Sequence, residues 1–441
     1  MTDASHRDAS PSETPDLETR ALLLRLLDAG VTAAHPRGCL VPHLPPVPAG
    51  RLVILGAGKA GASMAALAER HYRAHGVDPA RIAGLAVARH GYGEPAGVIE
   101  VVEAGHPVPD QAGIAATQRA LDLAASAGPD DLVLVLLSGG GSANWIAPAG
   151  ALTLAEKQGI TRALLRSGAA IDEINCVRKH LSRIKGGRLA GAARNAGRIL
   201  TLAISDVPRD DPAVIASGPT VPDPTTLADA RAICARRGIP LPASAEALLN
   251  DPANESPKPG DPAFARSEFR IIARPVEAIE AAAAAAQAAG YEPVLLGADL
   301  EGEAREVAAA HAALAREMAA AGRKVALISG GELTVTIRGE GQGGPNQEYA
   351  LALALALDGA PGIAALSADT DGTDGGRGEA TDPAGAMIDP TTLARAAAAG
   401  LDARASLGEN DSTPFFDRIG DLVRPGPTRT NVNDLRIILV G

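Results

Sequence analysis

Short runs of β-branched and leucine residues alternate along this chain with longer alanine-rich stretches whose apolar positions recur at helical spacing. The runs Leu52–Leu55, Ile82–Ala88, Val98–Val102, Leu132–Leu137 and Ile199–Ile204 predict strands. Between them Met64–His75, Gln111–Ser126, Leu154–Ser167 and Lys185–Asn195 predict helices, and Leu17–Ala29, closed by Gly30, predicts another ahead of them all. Strands that are apolar at nearly every position are buried on both faces, so the alternation predicts a parallel sheet with helices on each side.

A polar, proline-rich interval from Asn250 to Pro262 predicts a domain boundary. Beyond it the rhythm restarts, with strands predicted at Phe269–Ile272, Val294–Leu296, Val325–Ile328, Ile363–Leu366 and Leu435–Val440. Helices are predicted at Val276–Ala289, Glu303–Ala321 and Asn346–Leu357, and the alternating run Leu333–Ile337 predicts a half-exposed strand. The expected organisation is a flexible tail over 1–16, an N-terminal α/β domain over 17–250 and a C-terminal α/β domain over 262–441.

Composition narrows the function classes. A length of 441 residues suits two large domains. Aromatics at 2% remove the stacking platforms that single-stranded nucleic acid needs, and a net charge of -11 repels nucleic acid and anionic membrane alike. An anionic ligand must therefore be held by a local cluster of cations and amides. Cys39, Cys176 and Cys234 have no metal-ligand spacing and read as free thiols in a reducing compartment. With no signal-like segment at the start, the expected location is cytoplasmic. The oligomeric state is left open, a homodimer included.

In open parallel sheets ligands bind beyond the carboxyl ends of the strands, and there the unusual residues fall. Gly56, Gly58 and Gly61 follow the first strand with Lys59 between them, a spacing that predicts an anion at a helix N-terminus. The same spacing matches the dinucleotide fingerprint, but the second strand ends in Arg89 and His90 rather than an acid, which disfavours NAD and leaves NADP open. Ser138, Gly139, Gly140, Gly141 and Ser142 follow the fourth strand as a second candidate phosphate cradle. Arg178, Lys179, His180, Arg183, Lys185 and Arg188 form a basic run, in which Lys185, Arg188 and Arg178 are candidate anion ligands against the commoner fate of a solvated helix face.

Asp206, just past the fifth strand, sits where a magnesium ligand or a catalytic base is often found. In the second half Asn346 and Glu348 open a helix, the loop Asp369–Gly375 offers Asp371 as a magnesium or substrate-hydroxyl ligand, and the segment 424–434 gathers Arg, Thr and Asn donors.

Taken together, Gly56–Ala60, Gly105–Asp110, Ser138–Ala143, Ser205–Val207, Ser217–Thr220, Gly344–Glu348, Asp369–Gly375 and Thr430–Asp434 resemble the class II glycerate 2-kinases, whose second half is the MOFRL domain. The resemblance runs from about Leu17 onward. It implies an N-terminal Rossmann-like parallel sheet with helices on both faces, a C-terminal α/β MOFRL-type domain, and an active site in the cleft between them. It implies transfer of the γ-phosphoryl of ATP to the 2-hydroxyl of D-glycerate, giving 2-phosphoglycerate, with Mg2+ required. By the same analogy Lys59 stabilises the transferring phosphoryl, Asp206 holds magnesium or takes the hydroxyl proton, and Ser138–Ser142 cradles phosphates. Lys185, Asn346, Glu348, Asp371 and Asn433 follow as further cleft residues.

Pro345 stands where many members carry Arg, and Arg429 is the candidate replacement cation. Some members are labelled hydroxypyruvate reductases, so an NADPH-dependent reductase is the alternative, with a non-catalytic sugar-acid or nucleotide sensor as the third reading.

Overall fold

The computed structural model describes residues 16–376 and 379–441, so the expected tail over 1–16 lies, but for Asp16, outside the described residues. Two compact units emerge, one of residues 33–274 with 429–432, the other of residues 16–32 with 275–376, 379–428 and 433–441.

The first unit is built on six strands: β1 Leu52–Ala57, β2 Ile82–Arg89, β3 Glu100–Ala104, β4 Leu132–Leu137, β5 Arg198–Ile204 and β6 Ser267–Ala273. All pair in parallel, in the order β3-β2-β1-β4-β5-β6, the doubly wound order of dinucleotide-binding folds. Every residue of β1 and β4 is buried, as their unbroken apolar sequences require in a sheet covered on both faces.

The second unit carries β7 Glu292–Gly297, β8 Val325–Ser329, β9 Ile363–Asp369, β10 Gly385–Ile388, β11 Leu422–Val423 and β12 Asp434–Val440. Their order is β11-β10-β9-β12-β8-β7, antiparallel except for β7 with β8. The helix Pro345–Leu357, apolar from Tyr349 onward, lies within this unit's core and is buried almost all round.

Three expectations need correction. The boundary falls at 274/275 rather than within 250–262, and residues 17–32 group with the second unit. The proline-rich interval is a connection inside the first unit, and the strand after it joins β5, with Phe269 packed on the core of the parallel sheet. Leu333–Ile337 forms no strand; Thr334 makes only an isolated bridge to Glu303, and Ile337 is exposed. Lys185–Asn195 is not one helix: Gly186 and Gly187 take positive φ (59° and 79°), and only Arg188–Ala192 is helical. The helix Ile171–His180 had no clear signal, because its apolar residues are few.

Candidate active site

The loops after β1 and β4, neighbours in the sheet, interlock at its carboxyl edge. The Lys59 amide donates to the Gly139 carbonyl (2.8 Å), the Ala60 amide to Ser138 Oγ (2.8 Å), and the Ser138 amide to the Ala57 carbonyl (3.1 Å). Gly58 donates to Val87 (3.2 Å) and Gly61 to Gly58 (3.0 Å), so every amide from Gly58 to Gly61 already has a protein acceptor. This corrects the reading of Gly56 and Gly58 as an anion seat. Gly56 lies inside β1, and a Cβ on it would fall 2.7 Å from the Gly61 carbonyl oxygen. At Gly58, with φ +105°, a Cβ would fall 2.4 Å from the Ser138 carbonyl oxygen. These glycines let two loops touch.

The second loop is arranged the other way. Gly141 donates to Ser138 and Ala143 to Gly140, which closes the turn, while the amides of Gly139, Gly140 and Ser142 donate to no protein acceptor. With Gly140 left-handed (φ +84°), such successive amides form a concavity for an anion's oxygens.

Charged and polar side chains ring this loop. A Cβ on Gly139 would fall 2.0 Å from Asp206 Oδ2 and 2.1 Å from Asn431 Nδ2, so only glycine admits both groups. Asn431 Nδ2 donates to Asp206 Oδ2 (2.8 Å) and orients the carboxylate. The His106 ring lies 3.0 Å, and Lys59 Cγ 3.6 Å, from a Cβ position on Gly140.

Lys185 is fully buried and its Nζ donates to the Ser142 carbonyl (2.7 Å); burial first, then the charges of Arg178 and Lys157, hold its ammonium well below the usual lysine range. The Ser217–Thr220 segment braces this arrangement. Ser142 Oγ and Ser217 Oγ are 2.8 Å apart, and the Gly186 and Gly187 amides donate to the carbonyls of Ser217 and Gly218 (3.0 and 2.7 Å). Ala216 and Ser217 take φ of 49° and 62°, strain that these bonds hold in place.

The basic run divides. Lys179 pairs with Asp223 (3.5 Å) and His180 with Glu255 (2.9 Å), while Arg183 donates to Gln118 and Arg188 to the Asn254 carbonyl. Lys185 and Arg178 have no carboxylate partner among the described residues.

The remaining candidates have the following partners. Arg429 pairs with Glu94 (3.8 Å). Asn346, Glu348, Asp371 and Asn433 belong to the second unit. There Asn346 Nδ2 donates to Asp374 (3.2 Å) and Asp434 (2.6 Å) and its Oδ1 accepts from Ser367 (2.6 Å), a buried structural pin. Glu348 is held by Arg305 (2.5 Å) and Asn410 (3.2 Å); burial nonetheless raises its carboxyl. Asp371 Oδ1 accepts from the Thr373 amide (2.7 Å), an Asx turn.

Asp374, not singled out in the sequence, accepts from the Asn346 and Gln347 amides at the start of Pro345–Leu357, and burial pushes its carboxyl up to about 7. His106, Asn431, Ala216 and Ser217 were likewise missed as individual residues. The signal for His106, Ser217 and Asn431 was present in the Gly105–Asp110, Ser217–Thr220 and Thr430–Asp434 motifs, which mark irregular segments rather than which side chain points inward; Ala216 lies just before the second.

Among the described residues no cluster of three His, Cys, Asp or Glu side chains could cage a metal. Magnesium, however, binds through one or two carboxylates with nucleotide phosphates completing its shell, and a single Asp206 beside open phosphate-type amides fits that donor set. No helix among the described residues is long and apolar enough to cross a membrane.

Fold and loop together define an α/β protein with a glycine loop of unbonded amides at the switch point of a doubly wound sheet. Comparison with known proteins makes this specific. Residues 22–250 match the family described as a domain of unknown function, DUF4147, and residues 325–434 match the MOFRL family. A protein of Agrobacterium vitis named putative hydroxypyruvate reductase is 51% identical over 432 residues, 97% of this chain and 95% of its own. D-glycerate 2-kinase of Thermotoga maritima is 38% identical over 426 residues, 96% of this chain and 98% of its own. The crystal structure of glycerate kinase from Thermotoga maritima matches with a TM-score of 0.84 at 37% identity, covering 97% of this chain and 100% of that one. The chain belongs to the MOFRL-domain glycerate kinase family.

Proposed function

We propose that this protein transfers the γ-phosphoryl group of ATP to the 2-hydroxyl of D-glycerate, giving 2-phosphoglycerate. The observation that carries this reading is the contrast in amide bonding: the turn after β1 is closed, whereas Gly139, Gly140 and Ser142 present free amides beside Lys59, Lys185 and Asp206. Phosphoryl transfer needs positioning and fixed positive charge around the equatorial oxygens more than covalent chemistry. The three amides bind phosphate oxygens, and Lys59 stabilises charge on the group in flight. Asp206, oriented by Asn431, accepts the hydroxyl proton or holds magnesium. Magnesium, when bound, neutralises the β- and γ-phosphates.

Relatives named putative hydroxypyruvate reductase make a nicotinamide-dependent reductase the second reading. It needs a pyrophosphate at the amides of the first βα turn, and those amides are spent. It also needs a cation near a 2′-phosphate, yet Arg89 is buried and lies over the Tyr92 ring (5.1 Å).

The test is an ADP-formation assay with Mg2+, ATP and D-glycerate beside an NADPH-oxidation assay with hydroxypyruvate, on wild type and Lys59→Ala. Glycerate-dependent ADP that collapses in the variant supports the kinase. NADPH oxidation without ADP overturns it.

A further inference from the structure

Beside the open loop, and wholly within the first unit, lies a cavity of about 390 Å³, inside the roughly 300–1,000 Å³ range of small-molecule pockets and far larger than a three-carbon acid fills. Its walls are apolar: Ile146, Leu154, Leu165, Ile171 and Ile174 face a strip formed by 107–109. Its only charged lining residues are Lys157, Arg162 and Arg178. Three cations without an acid are out of character for a chain of net charge -11.

These cations are not neutralised from behind. The Arg178 guanidinium has no carboxylate partner among the described residues, and Lys157 Nζ reaches only the carbonyls of Leu181 (2.5 Å) and Arg178 (3.4 Å). Burial first, then Arg178 and Arg188, pushes the Lys157 ammonium down to about 7. Unmatched, repelling cations beside apolar walls suit a ligand with a flat apolar body and an anionic chain.

The cavity's walls are tied along the chain to the loop after β4. His106, which packs against Gly140, leads directly into 107–109, and Ile146 follows the short helix Gly141–Asn144. Lys185, on the Ser142 carbonyl, feels the charges of both Arg178 and Lys157, so the cations run from the loop into the cavity. Gln158 Nε2 donates to the Pro109 carbonyl (2.9 Å), which leaves its Oε1 to accept from an exocyclic amine.

We propose that this cavity seats the adenosine end of ATP, with Lys157 and Arg178 lining the path of the phosphate chain toward Gly139, Gly140 and Ser142. The proposal rests on ATP being the phosphoryl donor. Three exposed apolar side chains at the lining, Val108, Leu165 and Ile171, are covered when the base enters.

Calorimetric titration of wild type and Thr161→Trp with MgATP and with inorganic tripolyphosphate tests it without requiring turnover. Thr161 lines the cavity and is half-buried, and the indole would fill the apolar space. The expected result is at least a tenfold loss of ATP affinity with tripolyphosphate affinity held within twofold. Equal affinity of the variant for ATP, or parallel weakening of both ligands, overturns the seat. ATP binding that responds to the variant in a protein inactive on D-glycerate keeps the seat and overturns the acceptor; no ATP binding by wild type overturns both. Should Thr161→Trp fail to fold, Leu165→Trp, at an exposed position on the cavity lining, replaces it with the same expected outcomes.

Discussion

Two glycine-rich loops follow neighbouring strands of one sheet, and they have opposite chemistry. After β1, Gly56, Gly58 and Gly61 serve close approach: their loop has given its amides to β2 and to the β4 loop. After β4, the glycines keep three amides free, and Gly139 makes room for Asp206 and Asn431. A glycine pattern thus records that backbone comes close to something. Whether that partner is a ligand or another loop is decided by hydrogen-bond accounting in the folded chain.

The comparison can be broken or sharpened by substitution. Lys59→Ala removes the cation of the closed turn whose stem runs along the open loop; kcat should fall by about 10³-fold with the unfolding midpoint unchanged. A small change in kcat with a large rise in the KM for ATP would make Lys59 a binding group only.

Gly58→Ala should act on folding. Its Cβ would meet the Ser138 carbonyl at φ +105°, a cost of about 3 kcal/mol in denaturant unfolding. Unchanged stability would mean that the two loops are not interlocked. Gly139→Ala should do the reverse, displacing Asp206 and Asn431 and lowering kcat by about 10²-fold while stability changes little.

The second unit offers a contrast, since its acidic loop is occupied with structure. Asp374 keeps its proton in the folded state up to about pH 7, whereas the unfolded chain releases it near 3.8. Its contribution to stability is therefore full below 3.8 and lost as pH rises through 7. Asp434 faces it with like charge, while Asn346 and Gln347 donate to it. Asp374→Asn should flatten the fall in unfolding free energy between pH 5 and 7 by on the order of 2 kcal/mol; parallel profiles for variant and wild type would contradict this.

The smallest expected effect is Asn431→Ala, which loosens Asp206 without removing it. It should cost about tenfold in kcat, leave the KM for ATP in place, and be matched by Asn431→Asp only in part.

Much of the fold was legible because both signals that define it are local. The buried strands β1, β4 and β5 are written as unbroken apolar runs, and their helices as alanine-rich segments of the right length. Leu333–Ile337 misled because alternation records half-burial, which a loop packed by Leu333 and Val335 also produces. The boundary misled because a polar, proline-rich stretch describes a surface connection, and β6 beyond it pairs with a strand more than sixty residues earlier.

Of the candidate site, Lys59, the Ser138–Ser142 loop, Asp206 and Lys185 come together in one unit. Asn431, which was not among the named candidates, donates to Asp206. In an irregular segment with positive φ at both 429 and 433, no periodicity says which side chain turns inward.

The central claim is that phosphate oxygens sit on the amides of Gly139, Gly140 and Ser142. A crystal structure of the protein with magnesium and a non-hydrolysable ATP analogue tests it most directly. The account predicts β- and γ-phosphate oxygens within hydrogen-bond distance of those three amides and the amides of Gly58–Gly61 still bonded to protein. A phosphate group on the Lys59 and Ala60 amides, with the bonds to Gly139 and Ser138 broken, would contradict it.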